Sequence, residues 1–396
     1  MTWLSAPIKA VARVVTGNTP PKSDESNYGA DVPWIKPPDL GSTIPIMGSS
    51  EMLSTKGAEK ARVLPVGTIL VSCIGTVGRV GIAGIELATN QQINAVVCGP
   101  AILPRFAMYW FMRSADELAS MANKAIVPIL NKGNFEQIRI PVWPLSEQRR
   151  IVEILDDADR LRHLRRSADT KATRILPTLL LKMFGDPETN PMGLRKESLG
   201  KLIKVRSGDF LPAKDMAKDG TYPVYGGNGI NGFHNAYMFK EPKVILGRVG
   251  AYCGVVHYSS RNSWITDNAL YVAEKLEPIE DQYLVAALEQ ANLNQYAGRA
   301  GQPLISGSRI YPVEILVPTE DDQLVFARSV SDLRKVNDLL DVASQKLDFL
   351  WDTMMTRAFS GQLTASWREG HMKELLAEME QQARMLNLPV QLETTP

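Results

Sequence analysis

Two hydrophobic patterns alternate along this 396-residue chain. The first is short. Apolar runs of about four to seven residues, cut off by Gly or Pro, recur in "VGTILVSCIG" and "EPKVILGRVG", and runs of this kind predict strands. "LPRFAMYWFMRSADELASMA" and "EDQYLVAALEQANLNQYA" each predict one helix. The second pattern is long. From Ser146, apolar residues fall at Ile151, Ile154, Ala158, Leu161, Ala168, Ala172, Ile175 and Leu179, with Arg165 interrupting. Alternating spacings of three and four predict a coiled-coil seam, and Ser146 is the expected N-cap. A second stripe carries Phe326, Val330, Leu333, Leu340, Leu347, Leu350 and Met354. A helix of about 38 residues spans about 57 Å. Pro177 should kink or end the first one about two turns early. The expectation is that the two stripes pack on each other. The alternative is that each helix lies buried on its own globular domain.

The chain repeats itself. "IRIPVWPLSEQ" aligns with "VEILVPTEDDQ" at an offset of 175 residues, which pairs Gln148 with Gln323, Ala168 with Ala343, and Phe184 with Phe359. The same offset places Gly75 over Gly250. "IKAVARVVTG" matches "LGKLIKVRSG" at an offset of 191, so the first copy is longer by 16 residues, expected in loops between residues 18 and 68. Each copy thus reads as a mixed α/β domain followed by a long helix. The boundaries are 1–145, 146–185, 186–320 and 321–369, with 370–396 as a C-terminal extension forming a short helix and a frayed end.

Composition narrows the function. The hydrophobic share of 44% and charged share of 22% are those of a globular protein. "MTWLSAPIKA" lacks a basic flank followed by an apolar core, so no signal peptide is expected. "AVVCGPAILPRFAMYWFM" is broken by Gly99, Pro100, Pro104 and Arg105, so no membrane span is expected. Cys73, Cys98 and Cys253 form no C-x-x-C pair, which fits a cytoplasmic protein without a disulfide scaffold or metal centre. Net charge is only +1. Bulk electrostatics alone would therefore give a weak hold on DNA. Two different heads on a helical spacer nevertheless fit a split site, since a rod about 50 Å long matches one to two turns of B-DNA.

"IPVWPLSEQRRIVEILDDADRL" and "AFSGQLTASWRE" resemble the conserved helix segments of the specificity subunits of type I restriction–modification enzymes. "TGNTPPKSDESNYGADVPWIKPPDL" and "YPVYGGNGINGFHNAYMF" resemble, more loosely, the openings of their target recognition domains. The resemblance covers residues 1 to about 369, in the family's order. It implies an α+β fold: two globular recognition domains separated by two long antiparallel coiled-coil helices, in a pseudo-two-fold repeat. It implies a non-catalytic role, each domain reading half of a bipartite DNA site. Two methyltransferase subunits would dock on the helices and bring S-adenosylmethionine. Two restriction subunits would add ATP- and Mg-dependent translocation and cleavage, so this chain itself needs no cofactor. The second helix, with "DLLDVASQKLDFLWD", is more acidic than the family's usual flavour.

The chemical motifs agree with a non-catalytic role. "KPPDL" lacks the leading Asn or Asp and the aromatic of an adenine-methyltransferase motif, so Pro37–Pro38 reads as a loop. No Walker loop occurs. Gly227, Gly229 and Gly232 spell G-x-G-x-x-G, but "FHNAYMFKEP" after them has no helical stripe, and no acid follows about 20 residues on. A dinucleotide enzyme is therefore a weak alternative, and a stand-alone two-headed DNA-binding regulator is another. For DNA contact, Arg79 and Arg248 on Gly-rich loops could pair with phosphate or guanine, or equally with a nearby carboxylate. Asn90, Gln91, Gln92 and Asn268 could read adenine or simply cap turns. Lys132 and Asn134, like Ser306, Ser308 and Arg309, stand just before the last strand of each copy. Lys22, Lys36, Tyr225, Asn228 and Asn231 complete the candidates. Arg162 and Asn337 align at offset 175 beside the apolar stripe, where a polar residue can fix helix register unless both lean to solvent.

Overall fold

The computed structural model describes residues 4–123, 126–217, 219–298 and 303–386. The chain divides into two compact units, one made of residues 1–164 with 344–396 and the other of residues 165–343. The first unit is discontinuous in sequence, because each long helix passes from one unit to the other.

The first copy runs β1 (Ser5–Pro7), α1 (Ile8–Val11), β2 (Ala12–Thr16), β3 (Tyr28–Ile35), β4 (Met52–Leu53), α2 (Thr55–Lys60), β5 (Ile69–Ser72), β6 (Val80–Ile82), β7 (Ala88–Thr89) and β8 (Ile93–Cys98). It continues through α3 (Pro104–Arg113), α4 (Ala115–Met121), α5 (Lys132–Gln137) and β9 (Arg139–Pro141) to the broken helix α6 (Leu145–Ala172) and α7 (Ile175–Phe184). The second copy follows as β10 (Arg195–Ser198), α8 (Leu199–Leu202), β11 (Ile203–Ser207), β12 (Tyr222–Gly226), β13 (Gly229–His234), β14 (Val244–Gly247), β15 (Val256–Tyr258), β16 (Trp264–Ile265) and β17 (Ala269–Lys275). Then come α9 (Asp281–Gln290), α10 (Gly307–Ile310), β18 (Glu314–Val317) and α11 (Glu320–Phe359), with α12 (Ala365–Gly370) and α13 (Met372–Met385) at the end.

The two copies share one topology. A four-stranded sheet is ordered β2-β8-β5-β6 in the first and β11-β17-β14-β15 in the second. A three-stranded sheet is ordered β4-β3-β7 and β13-β12-β16, with the last pair parallel in both. Single hydrogen bonds repeat as well: Gly75 N–H donates to the Pro128 carbonyl and Gly250 N–H to that of Pro303, each at 3.0 Å. The extra length of the first copy can now be placed. Ile35 and Tyr225 hold the same position in the parallel pair, and Ile69 and Val244 open equivalent strands. The offset falls from 190 to 175 between them, so the insertion lies within the β3–β5 connection, where β4 has its counterpart in β13 and α2 has none.

Each copy fastens its long helix with a buried glutamine. Gln148 accepts the Leu103 N–H at the start of α3 (2.8 Å) and donates to the carbonyls of Ala101 (2.9 Å) and Trp143 (2.7 Å). Gln323 accepts the Glu280 N–H at the start of α9 (2.8 Å) and donates to the Pro318 carbonyl (2.9 Å). These bonds satisfy an orphan amide that a helix N-terminus leaves behind. Around them lie the cores. Phe106, Tyr109, Phe111 and Phe135 fill the first with Ile151, Leu155, Trp351 and Met355. Leu199, Leu202, Leu284 and Ile305 fill the second with Phe184, Phe326 and Val330. Each fully buried aromatic or Leu contributes about 1.5–3 kcal/mol.

Several expectations change. The helix after β8 is two helices, broken at Ser114, and α9 gives way to a 3₁₀ turn (Leu293–Tyr296) after left-handed Asn292. Ser146 is not the N-cap: α6 starts at Leu145, and Ser146 lies in its first turn. The long helix breaks at residues 173–174, just ahead of Pro177, whose ring and missing N–H disfavour the preceding turn. The expected stripe holds in part, with Ile151 on α6 and Phe326 and Val330 on α11 buried, and beyond them the buried face is rotated. Ile151, Leu155 and Asp159 are buried on α6, and Trp351, Met355 and Ala358 on α11, whereas Leu161 and Leu350 are at least half exposed. Within the first unit the helices do pack antiparallel: Glu147 meets Arg368 beyond the end of α11, while Arg162, a few turns on, meets Asp348. Both helices also bury residues in the domain core, so packing on each other and packing on the domain hold together there. Among the described residues, no helix is long and apolar enough to cross a membrane.

Candidate DNA interface

Each copy gathers the loops after its equivalent strands at one corner, and a glycine makes the gathering possible. Gly17 follows β2 and Gly208 follows β11. A Cβ on Gly17 would overlap the backbone oxygens of Thr89 and Asn90, and one on Gly208 those of Ile265 and Thr266. Only a residue without a side chain lets the two segments cross so closely.

In the second copy this corner holds five segments. The glycine motif is a β-hairpin: β12 and β13 pair Gly226 with Gly229, and Gly227 and Asn228 form the turn. Gly229 takes φ +87°, which the turn requires and glycine permits. No helix follows, so the strand–turn–helix of a dinucleotide site is not formed. The turn leans on the next loop, where a Cβ on Gly227 would come within 3.2 Å of the Asn268 carbonyl. That carbonyl accepts the Arg248 N–H at 3.0 Å. The Arg248 guanidinium donates from Nη1 to Ser207 Oγ and to the Asp267 carbonyl, both at 3.1 Å. Its Nε and Nη2 have no protein acceptor among the described residues. Arg248 is therefore held by neutral groups, not by a carboxylate, with part of its fork unspent. Asn228 and Asn268 are exposed beside it, and Ile305, just before Ser306, donates its N–H to the Arg248 carbonyl at 2.9 Å. The structure thus brings together Asn228, Arg248, Asn268 and Ser306, and adds Ser207, which the offset of 191 from Thr16 could have signalled.

The other candidates of this copy separate from that group. Tyr225 is 7% exposed, packs in a core with Ile245, Ile265 and Ala269, and accepts the Ser260 N–H on its hydroxyl at 3.0 Å. It is a core residue, because an aromatic that alternates inward on a strand buries its ring. The Asn231 side chain lies against Gly226. The Ser306 and Ser308 hydroxyls are 2.9 Å apart. Arg309 lines an open cleft of about 650 Å³ with Gln295, Tyr296 and Glu314.

In the first copy, the corner is more self-contained. Asn90 is 6% exposed, and its amide donates to the Gln92 side chain at 2.8 Å while its carbonyl oxygen accepts the Gln92 N–H at 3.1 Å. It caps the turn. Gln91 is exposed and accepts the Thr19 hydroxyl. Arg79 spends Nη2 on the Leu40 carbonyl (2.6 Å), tying its loop to the Pro37–Asp39 turn. Lys36 pairs with Glu51 and lies 4.7 Å over the Trp34 ring. Lys132 pairs with Glu136 at 3.4 Å, and Asn134 and Lys22 are exposed. Nearby, Asp24 is held well below the usual carboxylate range, first by the Ser26 hydroxyl and then by Lys56 and Lys60. In the helices, Arg162 donates to Asp348 (3.0 Å) and lies 4.6 Å over the Trp351 ring, whereas Asn337 is exposed on its own unit. Asn337 therefore does not occupy a buried seam position.

A duplicated domain whose loops gather polar side chains at one corner, joined through long helices, defines a recognition protein with two heads. Residues 2–169 and 193–347 match the family of type I restriction modification DNA specificity domains, and the chain belongs to it. It is similar to the type I restriction enzyme EcoprrI specificity subunit of Escherichia coli, 24% identical over 351 residues that make up 82% of this chain and 85% of that one. It is also similar to the HindI specificity subunit of Haemophilus influenzae, 37% identical over 97 residues, or 24% of this chain and 21% of that one. The fold is that of the type I restriction–modification S subunit from M. genitalium, with a TM-score of 0.59 at 15% identity, covering 90% of this chain and 96% of that one.

Proposed function

We propose that this chain is the DNA-specificity subunit of a type I restriction–modification assembly, and that each copy reads one half of a bipartite site. The observation that carries the reading is the repeat of one DNA-specificity domain, with the same strand order and the same glycine-permitted loop crossing, at two places in the chain. In the second copy Asn228, Arg248 and Asn268 meet base edges and phosphates; in the first, Gln91 and Gln92 do. The chain performs no bond-making step. Two methyltransferase subunits dock on the long helices and supply S-adenosylmethionine, and restriction subunits add ATP- and Mg-dependent cleavage. The partners add to the grip on DNA, which fits a net charge of only +1. The place of work is the cytoplasm, where the DNA is. The test is co-expression with the neighbouring methyltransferase gene and genome-wide mapping of methylated adenine. One bipartite motif is the expected result; scattered or absent methylation from an intact complex rejects the reading.

A further inference from the structure

The repeat exposes one place where the copies part. In the first unit, the foot of α6 is covered by the end of the chain. Glu147 is fully buried and accepts Thr364 Oγ (2.6 Å) and Arg368 Nε (2.8 Å). The Glu378 carboxylate of α13 accepts the Ser146 N–H (3.0 Å) and hydroxyl (2.9 Å). Gln382 donates to the carbonyls of Ala101 (3.2 Å) and Trp143 (3.1 Å), the same two that Gln148 uses. Leu375, Met379 and Ala383 are buried on the inner face of α13.

In the second unit the equivalent foot lies open. The offset of 175 makes Asp322 the counterpart of Glu147 and Pro318 that of Trp143. The matching helix starts, Leu103 and Glu280, make Pro278 the counterpart of Ala101. Asp322 and Pro278 are exposed where Glu147 and Ala101 are sealed. Leu276, Pro278, Ile279, Glu320, Gln323 and Leu324 line an open cleft of about 600 Å³ there. Leu276 is 40% and Leu324 47% exposed, so apolar surface is left uncovered. Charge decides what fits. Glu378 caps a helix start at Ser146; the counterpart of Ser146 is Asp321, flanked by Glu320 and Asp322. A carboxylate in the place of Glu378 would meet like charge, and a lysine or arginine would meet opposite charge.

We propose that this foot of α11 is a docking groove for an amphipathic helix of a partner protein. That helix lies as α13 does on the first unit, with an apolar face toward Leu276 and Leu324 and a basic residue toward Glu320 and Asp321. The inference goes beyond the reading of DNA half-sites and does not depend on it.

The probes are two labelled peptides of residues 371–386, one native and one E374K/E378K/E380K, titrated onto the full-length chain by fluorescence anisotropy. The lysine peptide is expected to bind at least about tenfold more tightly than the native one. Leu324→Asp should abolish that binding, and E320K/D321K/D322K, all exposed positions, should reverse the preference between the peptides. Unchanged melting curves keep both variants interpretable, and Leu276→Asp replaces Leu324→Asp if that one melts early. Absence of binding by either peptide, equal binding by both, or binding that survives the Leu variants overturns the proposal.

Discussion

Gln148 and Gln323 show how a single side chain fixes a helix to a domain. Each is almost completely buried, and each closes the first amide of the domain helix against the carbonyl before the long helix. Gln148→Ala leaves the Leu103 N–H without its partner in a dry site. An orphaned buried group costs about 1–3 kcal/mol, so the urea midpoint of unfolding should fall accordingly. Gln323→Ala should act alike on the second unit. The identity of the pair at one offset was legible in the sequence; its bonding was not, because the acceptors lie on segments far away along the chain. The cysteines give a second prediction at this scale. Burial pushes the thiols of Cys73 and Cys98 up to about 12, and raises that of Cys253. A thiol-reactive dye at pH 8 should therefore label the native chain slowly and all three sites rapidly in denaturant. The folded thiols of Cys73 and Cys98 stay protonated to about pH 12, while unfolded ones ionise from their ordinary value of 9.0. Their contribution to stability is thus complete below pH 9 and is lost as pH rises toward 12.

Among the elements, Glu147 ties the foot of α6 to the segment after α11. Its carboxylate is wholly buried against Thr364 and Arg368. Arg368→Ala strands that charge, and breaking a buried pair from one side costs about 3–5 kcal/mol. The double variant Glu147→Gln with Arg368→Ala should lose less than Arg368→Ala alone, read by the same denaturant titration; an equal or greater loss would mean the pair does not act as a unit. The strands and the repeat were legible because Gly and Pro cut the apolar runs at matching offsets. The seam was not. A period of three and four fixes which residues share a face, but not which face the core selects. On α6 the selected face runs through Ile151, Leu155 and even Asp159, since the Thr43 hydroxyl donates to its carboxylate. Of the extension 370–396, residues 387–396 lie outside the described residues, and the expected frayed end falls there. The short helix expected before it is α13, whose docking rests on Glu378 and Gln382, two polar residues that no hydrophobic pattern would single out.

At the scale of the whole molecule, two heads of one topology should fail independently. The candidate corner was partly legible: Arg248, Asn228 and Asn268 were named from their Gly-rich or amide-bearing loops, but Asn90 and Tyr225 share that local appearance and are buried. Sequence shows which loops are polar; only the crossing at Gly17 and Gly208 shows which of them meet. The specificity reading then makes a separable prediction. Arg248 is held by Ser207 and the Asp267 carbonyl and keeps donors unspent, so Arg248→Ala removes a contact without unmaking a core. In the reconstituted complex, Arg248→Ala and Asn268→Ala should relax or weaken recognition in one half of the methylated motif only. A good base contact carries about 1–3 kcal/mol of discrimination, which methylation kinetics on single-base-variant sites would resolve. Gln91→Ala should alter the other half alone, and Asn337→Leu, at an exposed helix position, should leave both halves as they were. If Arg248→Ala altered both halves equally, the second copy would not be reading its half by itself, and the loops at its corner would owe their order to the assembly instead of to the fold that Gly208 permits.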